Sequence, residues 1–218
     1  MRRELAYYDL EQSVGAIGSV GQVAESQDAA FVRRLQANED AAYDELVRMY
    51  NASIYHVAFR MLGDPSDAAD AVQDIFLKVF RNIGSFRGDA ALKTWVFRIG
   101  LSEILNRLRW WKRRHRISTI SVDDDNNGQR PAYCIRDSAP TPQQALESRE
   151  QELAIQEALG RLSSDHRSIV VLRDIEGFSY LEIADILSVS VGTVKSRLAR
   201  ARTDMKKSLI RYLSVQRV

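Results

Sequence analysis

Two stretches of this 218-residue sequence carry side chains suited to holding a polyanion. The first reads Arg107-Leu108-Arg109-Trp110-Trp111-Lys112-Arg113-Arg114-His115-Arg116, six formal positive charges in ten residues with no acid. Cations at a helix C-terminus complement its dipole, and a basic end can simply be solvated, but the density exceeds what the dipole needs, so neutralisation of phosphates is the better explanation. The second runs from Lys195 to Arg217. On its outward face Lys195 and Arg200 can donate to guanine edges or to phosphates, Ser196 to either, and Ala199 leaves room for a thymine methyl. Arg197 and Arg202 flank that face, where phosphate contact is expected rather than base reading. A third feature, Ser85-Phe86-Arg87-Gly88-Asp89, places an aromatic ring, a cation and a glycine ahead of the first basic stretch. Such a loop can hold an unstacked base by stacking and edge contacts. A Phe in that place also serves as core.

The second basic stretch is positioned by a helix-turn-helix pattern. Ser179-Tyr180-Leu181-Glu182 matches a capping box, in which the Ser hydroxyl and the Glu carboxylate satisfy free backbone N–H groups. It opens a short helix carrying Leu181, Ile183, Ala184, Ile186 and Leu187. Ser188-Val189 forms the turn, and Ser190 caps a second helix from Val191 to at least Lys207. In that helix Val191, Val194, Leu198, Ala201 and Met205 face inward, while Lys195, Ser196, Ala199, Arg200, Thr203 and Lys207 face outward. A short helix, a tight turn and an outwardly basic second helix describe a module that lays its recognition helix in the major groove.

The first basic stretch ends a helix that starts near Leu92. Leu92, Trp95, Val96 and Ile99 share one face, whereas Leu101, Ile104, Leu105, Leu108 and Trp111 lie roughly opposite after Gly100. Either the helix bends at Gly100 or its halves pack on different neighbours. Upstream, Tyr43, Leu46, Val47, Tyr50, Ile54, Val57 and Met61 recur at helical spacing until Gly63 stops the pattern. Asp64 is then a natural N-cap with Pro65 at the first helical position. On the helix predicted from Pro65 to about Ile83, at about 100° per residue, Ala68, Val72, Ile75, Phe76, Val79 and Ile83 form the core stripe. The opposite stripe holds Asp70, Gln73, Asp74, Leu77 and Arg81. Leu77 is then either an ordinary exposed leucine or an apolar anchor whose acidic neighbours suit a basic partner.

Composition bounds the rest. Lys plus Arg number 31 against 29 Asp plus Glu, a net charge of +2, and hydrophobic residues make up 45%. That is neither a polycation nor a disordered acidic chain, and it can build a core. The two basic stretches hold 14 basic residues against 1 acidic, and the remainder 17 against 28. The apolar runs are too short to cross a bilayer, no secretory signal is evident, and the single cysteine, Cys134, cannot form an internal disulfide; a cytoplasmic protein without membrane insertion is expected. Pro131, Pro140, Pro142 and the run Asp123 to Gly128 mark residues 117–141 as a flexible linker. Residues 1–27 are expected to be a mobile extension, with Tyr7-Tyr8 a frayed tail or a docking spot. Ile117 to Val122 is the sole weak strand candidate. The expected fold is therefore all-α: two small helical domains, at residues 28–116 and 142–218, joined by the linker.

Three ordered blocks carry a family resemblance: Asp70-Ala71-Val72-Gln73-Asp74-Ile75-Phe76-Leu77-Lys78-Val79-Phe80; Phe86-Arg87-Gly88-Asp89 before Trp95; and Gly177-Phe178-Ser179-Tyr180 through Val191-Gly192-Thr193-Val194-Lys195-Ser196-Arg197. Together they resemble the extracytoplasmic-function group of bacterial sigma-70-type initiation factors, over residues 28–116 and 145–209. The resemblance implies a region-two domain and a region-four helix-turn-helix. It implies that Asp70, Gln73, Asp74 and Leu77 contact core RNA polymerase. It further implies that Phe86, Arg87, Lys93, Trp95, Arg107, Arg109, Lys112 and Arg113 serve opening of the minus-ten element and capture of the melted non-template strand. Lys195, Ser196, Arg197, Ala199 and Arg200 would serve the minus-thirty-five element. The linker would thread towards the polymerase active-site and RNA-exit channels, and an anti-sigma factor is an expected partner. The sequence departs from the family pattern at Ser188 for a usual turn glycine, at Ser190 for a common proline, and at Ser102 for a usual asparagine.

Two other classes fit less of the sequence. A repressor or activator could use the same helix-turn-helix, but would need no Leu77-centred face and would normally dimerise to read two half-sites. An enzyme acting on nucleic acid would need chemistry that is not apparent: there is no phosphate-binding Gly-Lys-Ser/Thr loop and no zinc-ligand cluster. His56, His115 and His166 are scattered, and Asp123 to Asp125 read as solvated linker rather than a metal site. No catalytic residue, metal or cofactor is expected.

Overall fold

A computed structural model describes residues 28–117 and 142–215 of the chain. The extension, most of the linker with Cys134 and Asp123 to Asp125, and the weak strand candidate beyond Ile117 lie outside the described residues. Among those described, no strand occurs. Residues 28–36 form α1, followed by α2 (Asp40–Leu62), α3 (Pro65–Asn82) and a short 3₁₀ turn (Ile83–Ser85). Helix α4 (Leu92–Ile117) completes the first unit. The second comprises α5 (Pro142–Gly160), α6 (Ser164–Val170), a π turn (Val171–Ile175), α7 (Tyr180–Leu187) and α8 (Val191–Val215).

The helix boundaries follow local chemistry. Gly63 ends α2 in the left-handed conformation at φ 85°, its N–H donating to the Phe59 carbonyl. Asp64 then caps α3, accepting from the backbone N–H groups of Ser66 and Asp67 at 2.8 and 2.9 Å, with Pro65 behind it. The stripe Ala68, Val72, Ile75, Phe76, Val79 and Ile83 is buried, as its spacing predicts, and Ala71 joins it. Helix α4 is one uninterrupted helix through Gly100. A Cβ at Gly100 would lie 3.6 Å from Ile75, an ordinary van der Waals contact, so the packing of α4 on α3 has room for a small side chain there. Leu92, Val96, Leu101 and Ile104 are buried along it. Trp111, which periodicity groups with Leu101 and Ile104, is instead 45% exposed, because α4 has by then run past the core.

The two units do not stand apart: their buried apolar side chains form one continuous cluster. Phe97 of α4 meets Phe178, at the entry to α7, edge to face with ring centroids 4.8 Å apart. Gln156 of α5 is buried but satisfied, its amide donating to the Phe59 carbonyl at 3.2 Å and accepting from Arg60 at 3.3 Å. Arg167 of α6 donates to the Met61 carbonyl at the end of α2, at 2.5 Å, and to the Gly160 carbonyl at the end of α5, at 2.7 Å. A guanidinium shared by two helix C-termini meets carbonyls that their own helices leave unpaired. Burial pulls the Arg167 pKa down from its usual range.

Candidate nucleic-acid interface

Helix α8 is set by its own first turn. Ser190 Oγ accepts from the Thr193 N–H at 3.1 Å, and Val194, Leu198 and Ala201 are buried. That rotation turns Lys195, Ser196, Ala199 and Arg200 to solvent. The capping box of α7 is complete: Ser179 N–H donates to the Glu182 carboxylate at 2.8 Å and Glu182 N–H to Ser179 Oγ at 3.2 Å. Ser188 takes the left-handed turn position, with φ 53° and ψ 49°. The flanking cations are engaged within the fold: Arg197 is half-buried with Nη1 3.2 Å from Asp165 of α6, and Arg202 pairs with Asp174 of the π turn. The outer face of α8 therefore offers two unpaired-by-acid cations, a hydroxyl and a methyl in a row, with Arg197 tied at its edge.

The basic end of α4 is built differently. Trp110 and Trp111 are 48% and 45% exposed, and Arg114 stacks over the Trp110 ring at 4.9 Å. An open cleft of about 520 Å³ is lined by both tryptophans, Glu103, Asn106, Arg107, Arg109 and Arg113. Arg107 is spoken for: it pairs with Asp74 of α3 and reaches Glu103 at 3.7 Å. Lys112 lies on α4 with its side chain outside those described. Ahead of α4, Phe86 is half-buried against Trp95, ring centroids 5.2 Å apart, so both aromatics support the loop. The Gln36 amide donates to the carbonyls of Ile83 and Phe86 at 3.2 and 3.0 Å and pins it further. Arg87 is exposed beside Gly88, which sits at φ 77°. Lys93 is exposed, but its ammonium rests 4.4 Å from the Phe178 ring centroid.

On α3 the polar stripe lies where the helical wheel puts it. Asp70 and Gln73 are exposed and Leu77 is 48% exposed between them and the Lys78–Glu103 pair. Asp74 is half-buried and joins this stripe to α4 through Arg107. Asp67, one turn earlier, has its carboxyl pushed above the usual range by burial, with Asp64 and Asp70 adding to the effect and Arg107 opposing it. Among the described residues no group of His, Cys, Asp and Glu could hold a metal, and no helix is long and apolar enough to cross a membrane.

The family descriptions "Sigma-70 region 2" and "Sigma-70, region 4" match residues 46–115 and 152–205. The RNA polymerase sigma-H factor of Pseudomonas aeruginosa is 33% identical over 187 residues, covering 86% of this chain and 96% of the relative. The ECF RNA polymerase sigma-E factor of Haemophilus influenzae is 35% identical, covering 80% and 91%. The chain belongs to the sigma-70 family, in its extracytoplasmic-function group. Among solved structures, the sigma factor RpoE of Bartonella quintana, in complex with the anti-sigma factor NepR, matches with a TM-score of 0.59 at 25% identity, over 77% of this chain and 96% of that one. The fold is also that of CnrH in complex with the cytosolic domain of CnrY, with a TM-score of 0.61, 24% identity and coverage of 84% and 96%. In sigma-70 terms, α2 to α4 are region two and α5 to α8 region four.

Sequence reasoning found both cationic surfaces of this sigma factor and missed what lies between its regions. Phe97, Arg98, Arg167, Phe178 and Asp185 all make cross-region contacts. One signal was available: Phe97 is a large apolar residue off the stripe formed by Leu92, Trp95, Val96 and Ile99.

Proposed function

We infer that this protein is a transcription initiation factor that binds core RNA polymerase, directs it to a two-part promoter and assists melting of the start-proximal part. The reading is carried by membership of the sigma-70 family together with one arrangement: two separate basic helices, α4 and α8, on a chain that also bears an exposed, acid-flanked leucine. Its role is that of a non-enzymatic factor acting through binding.

In this reading the stripe Asp70, Gln73, Asp74 and Leu77 docks on a basic polymerase surface, with Leu77 as apolar anchor and the carboxylates setting orientation. Lys195, Ser196, Ala199 and Arg200 read the minus-thirty-five element in the major groove, and Arg197 contacts phosphate after exchanging Asp165 for it. Phe86, Arg87, Lys93, Trp95, Arg107, Arg109, Lys112 and Arg113 serve the minus-ten element. Arg109, Lys112 and Arg113 neutralise phosphates, Arg87 holds the loop on the strand, and Phe86 and Trp95 shape that loop. Trapping an extruded base favours the open duplex by population shift. Arg107, tied to Asp74, couples the polymerase-facing stripe to the basic helix. Residues 28–116 and 142–218 act as the two units, and an anti-sigma factor is a partner by analogy with the RpoE relative.

Transcription with purified core polymerase tests this, from a promoter found by binding selection. Start-site selection by core enzyme only when this protein is present is the expected result. Tight DNA binding by the protein alone, without start-site selection, would establish a repressor-type protein instead.

A further inference from the structure

We propose that Gln36 of α1 is a positioning residue for promoter melting: its side-chain amide fixes the turn that presents Arg87, Gly88 and Asp89, and so sets whether that loop can hold an extruded base. The proposal rests on the initiation-factor reading. It adds a residue that lies ahead of residues 46–115, the span matched by the region-two family.

The turn ahead of the loop is shaped locally and anchored from a distance. In the 3₁₀ turn Ile83–Ser85, the Phe86 N–H donates to the Ile83 carbonyl at 3.1 Å and Ser85 Oγ to the Asn82 carbonyl at 2.7 Å. Both bonds stay within a few residues and tie the turn to nothing beyond the end of α3. Arg87, Gly88 and Asp89 follow, all exposed, with Gly88 at φ 77° in open space. Gln36 supplies the long-range tie. Its Nε2 donates to the Ile83 carbonyl at 3.2 Å and to the Phe86 carbonyl at 3.0 Å, across 47 and 50 positions of sequence. One primary amide thus brackets the turn at both ends, using both of its hydrogens, and at Ile83 it meets the lone pair that Phe86 leaves free. Gln36 is held in turn by its helix: Phe31, Val32 and Leu35 of α1 are buried, and Tyr43 Oη donates to the Leu35 carbonyl at 3.0 Å.

Phe86 is therefore held twice, by its carbonyl on Gln36 and by its ring on Trp95 at 5.2 Å. It serves as a fixed post, and the groups that meet a base are the backbone, guanidinium and carboxylate of Arg87 to Asp89, which suit a polar base edge. Recognition by such groups needs placement to a fraction of an ångström. A loop free to pivot at Ile83 would lose that freedom each time it closed on a base, whereas a loop already braced from α1 does not. The fold does not need the brace, because Gln36 is exposed and outside the buried cluster.

The test compares the full wild-type chain with Gln36→Met, which keeps the length and has no donor, and Gln36→Lys, which restores donors for the two carbonyls. Each is assembled with core polymerase on the selected promoter, its minus-ten segment held open by mismatches, and each non-template base there is replaced in turn by an abasic site. In the wild type, one abasic position should speed dissociation of the complex about tenfold or more. With Gln36→Met that penalty should drop to about threefold or less, and with Gln36→Lys it should return to within about twofold of wild type. Thermal midpoints should agree within about 2 °C. Because the readout is a ratio for one protein on two DNAs, the added lysine charge cancels. Equal abasic penalties for wild type and Gln36→Met would overturn the positioning role, and so would a penalty as low with lysine as with methionine. A wild-type chain that selects a start site with no abasic penalty would remove base capture and the positioning role together. A wild-type chain that selects no start site is a different result and removes the initiation-factor reading itself.

Discussion

Ser188 occupies a backbone conformation that costs a residue with a Cβ roughly 1 kcal/mol, and nothing in its surroundings requires the hydroxyl. Ser188→Gly should raise the urea midpoint by the equivalent of up to about 1 kcal/mol, less whatever entropy glycine restores to the unfolded chain, with DNA binding unchanged. The two neighbouring caps predict the opposite sign. Asp64→Ala removes the acceptor for two N–H groups at the start of α3 and should cost about 1 kcal/mol in the same measurement. Ser190→Ala should cost a similar amount and also loosen the first turn of α8, which carries Lys195 and Ser196. These caps were legible in the sequence because each rests on one short side chain and the N–H groups two or three residues on. Long side chains were not: spacing puts Arg107 on a basic helix, but only the packing of α3 on α4 brings Asp74 within its reach.

Helices α3 and α8 present faces that can be tested separately. Replacing Leu77 by Glu should weaken binding to core polymerase at least tenfold while leaving thermal stability unchanged, since the side chain is half exposed and outside the buried cluster. Asp70→Lys should act in the same direction; Asp74 is the poorer probe, because its loss also frees Arg107. On α8, Lys195→Ala or Arg200→Ala should each cost about 1–3 kcal/mol in binding of the selected promoter if it reads a base. If it contacts phosphate, the loss should be uniform across sequences and the salt dependence should flatten by about one counterion. Gel-shift titrations at several salt concentrations separate the two. Helices α2, α3, α4, α7 and α8, the caps Asp64, Ser179 and Ser190, and both stripes followed from periodicity and capping residues because each is decided within a few turns. Gly100 illustrates the limit: the sequence allows a bend or two neighbours, and the structure has one unbroken helix through Gly100, packed there on Ile75 of α3. The packing of region four on region two was not legible either, since Phe97 and Phe178 lie 81 positions apart and neither is marked by spacing as the other's partner.

The near-neutral total charge conceals two basic surfaces on an acidic body, and the packing of region four on region two joins them in one body. Glu176 makes that contact sensitive to pH. Burial holds its carboxyl above the ordinary value of 4.5, partly offset by a hydrogen bond with Ser53 of α2 and by the Lys93 ammonium of α4. A carboxyl raised in the closed form binds its proton more tightly there than when released to solvent. Closure is therefore favoured most below the ordinary value, and that contribution is lost as pH rises through the raised one. The Arg98–Asp185 and Arg60–Glu152 pairs also cross the contact. The contribution of Glu176 is isolated by Glu176→Gln, which keeps the size and the capacity to hydrogen bond with Ser53 but cannot ionise. Between pH 5 and 8, the urea midpoint of the Glu176 protein should fall with rising pH relative to that of the glutamine form. The profile should be flatter with glutamine, and at neutral pH the glutamine form should be the more stable. Equal profiles for the two proteins would mean that Glu176 does not titrate with the opening of the regions.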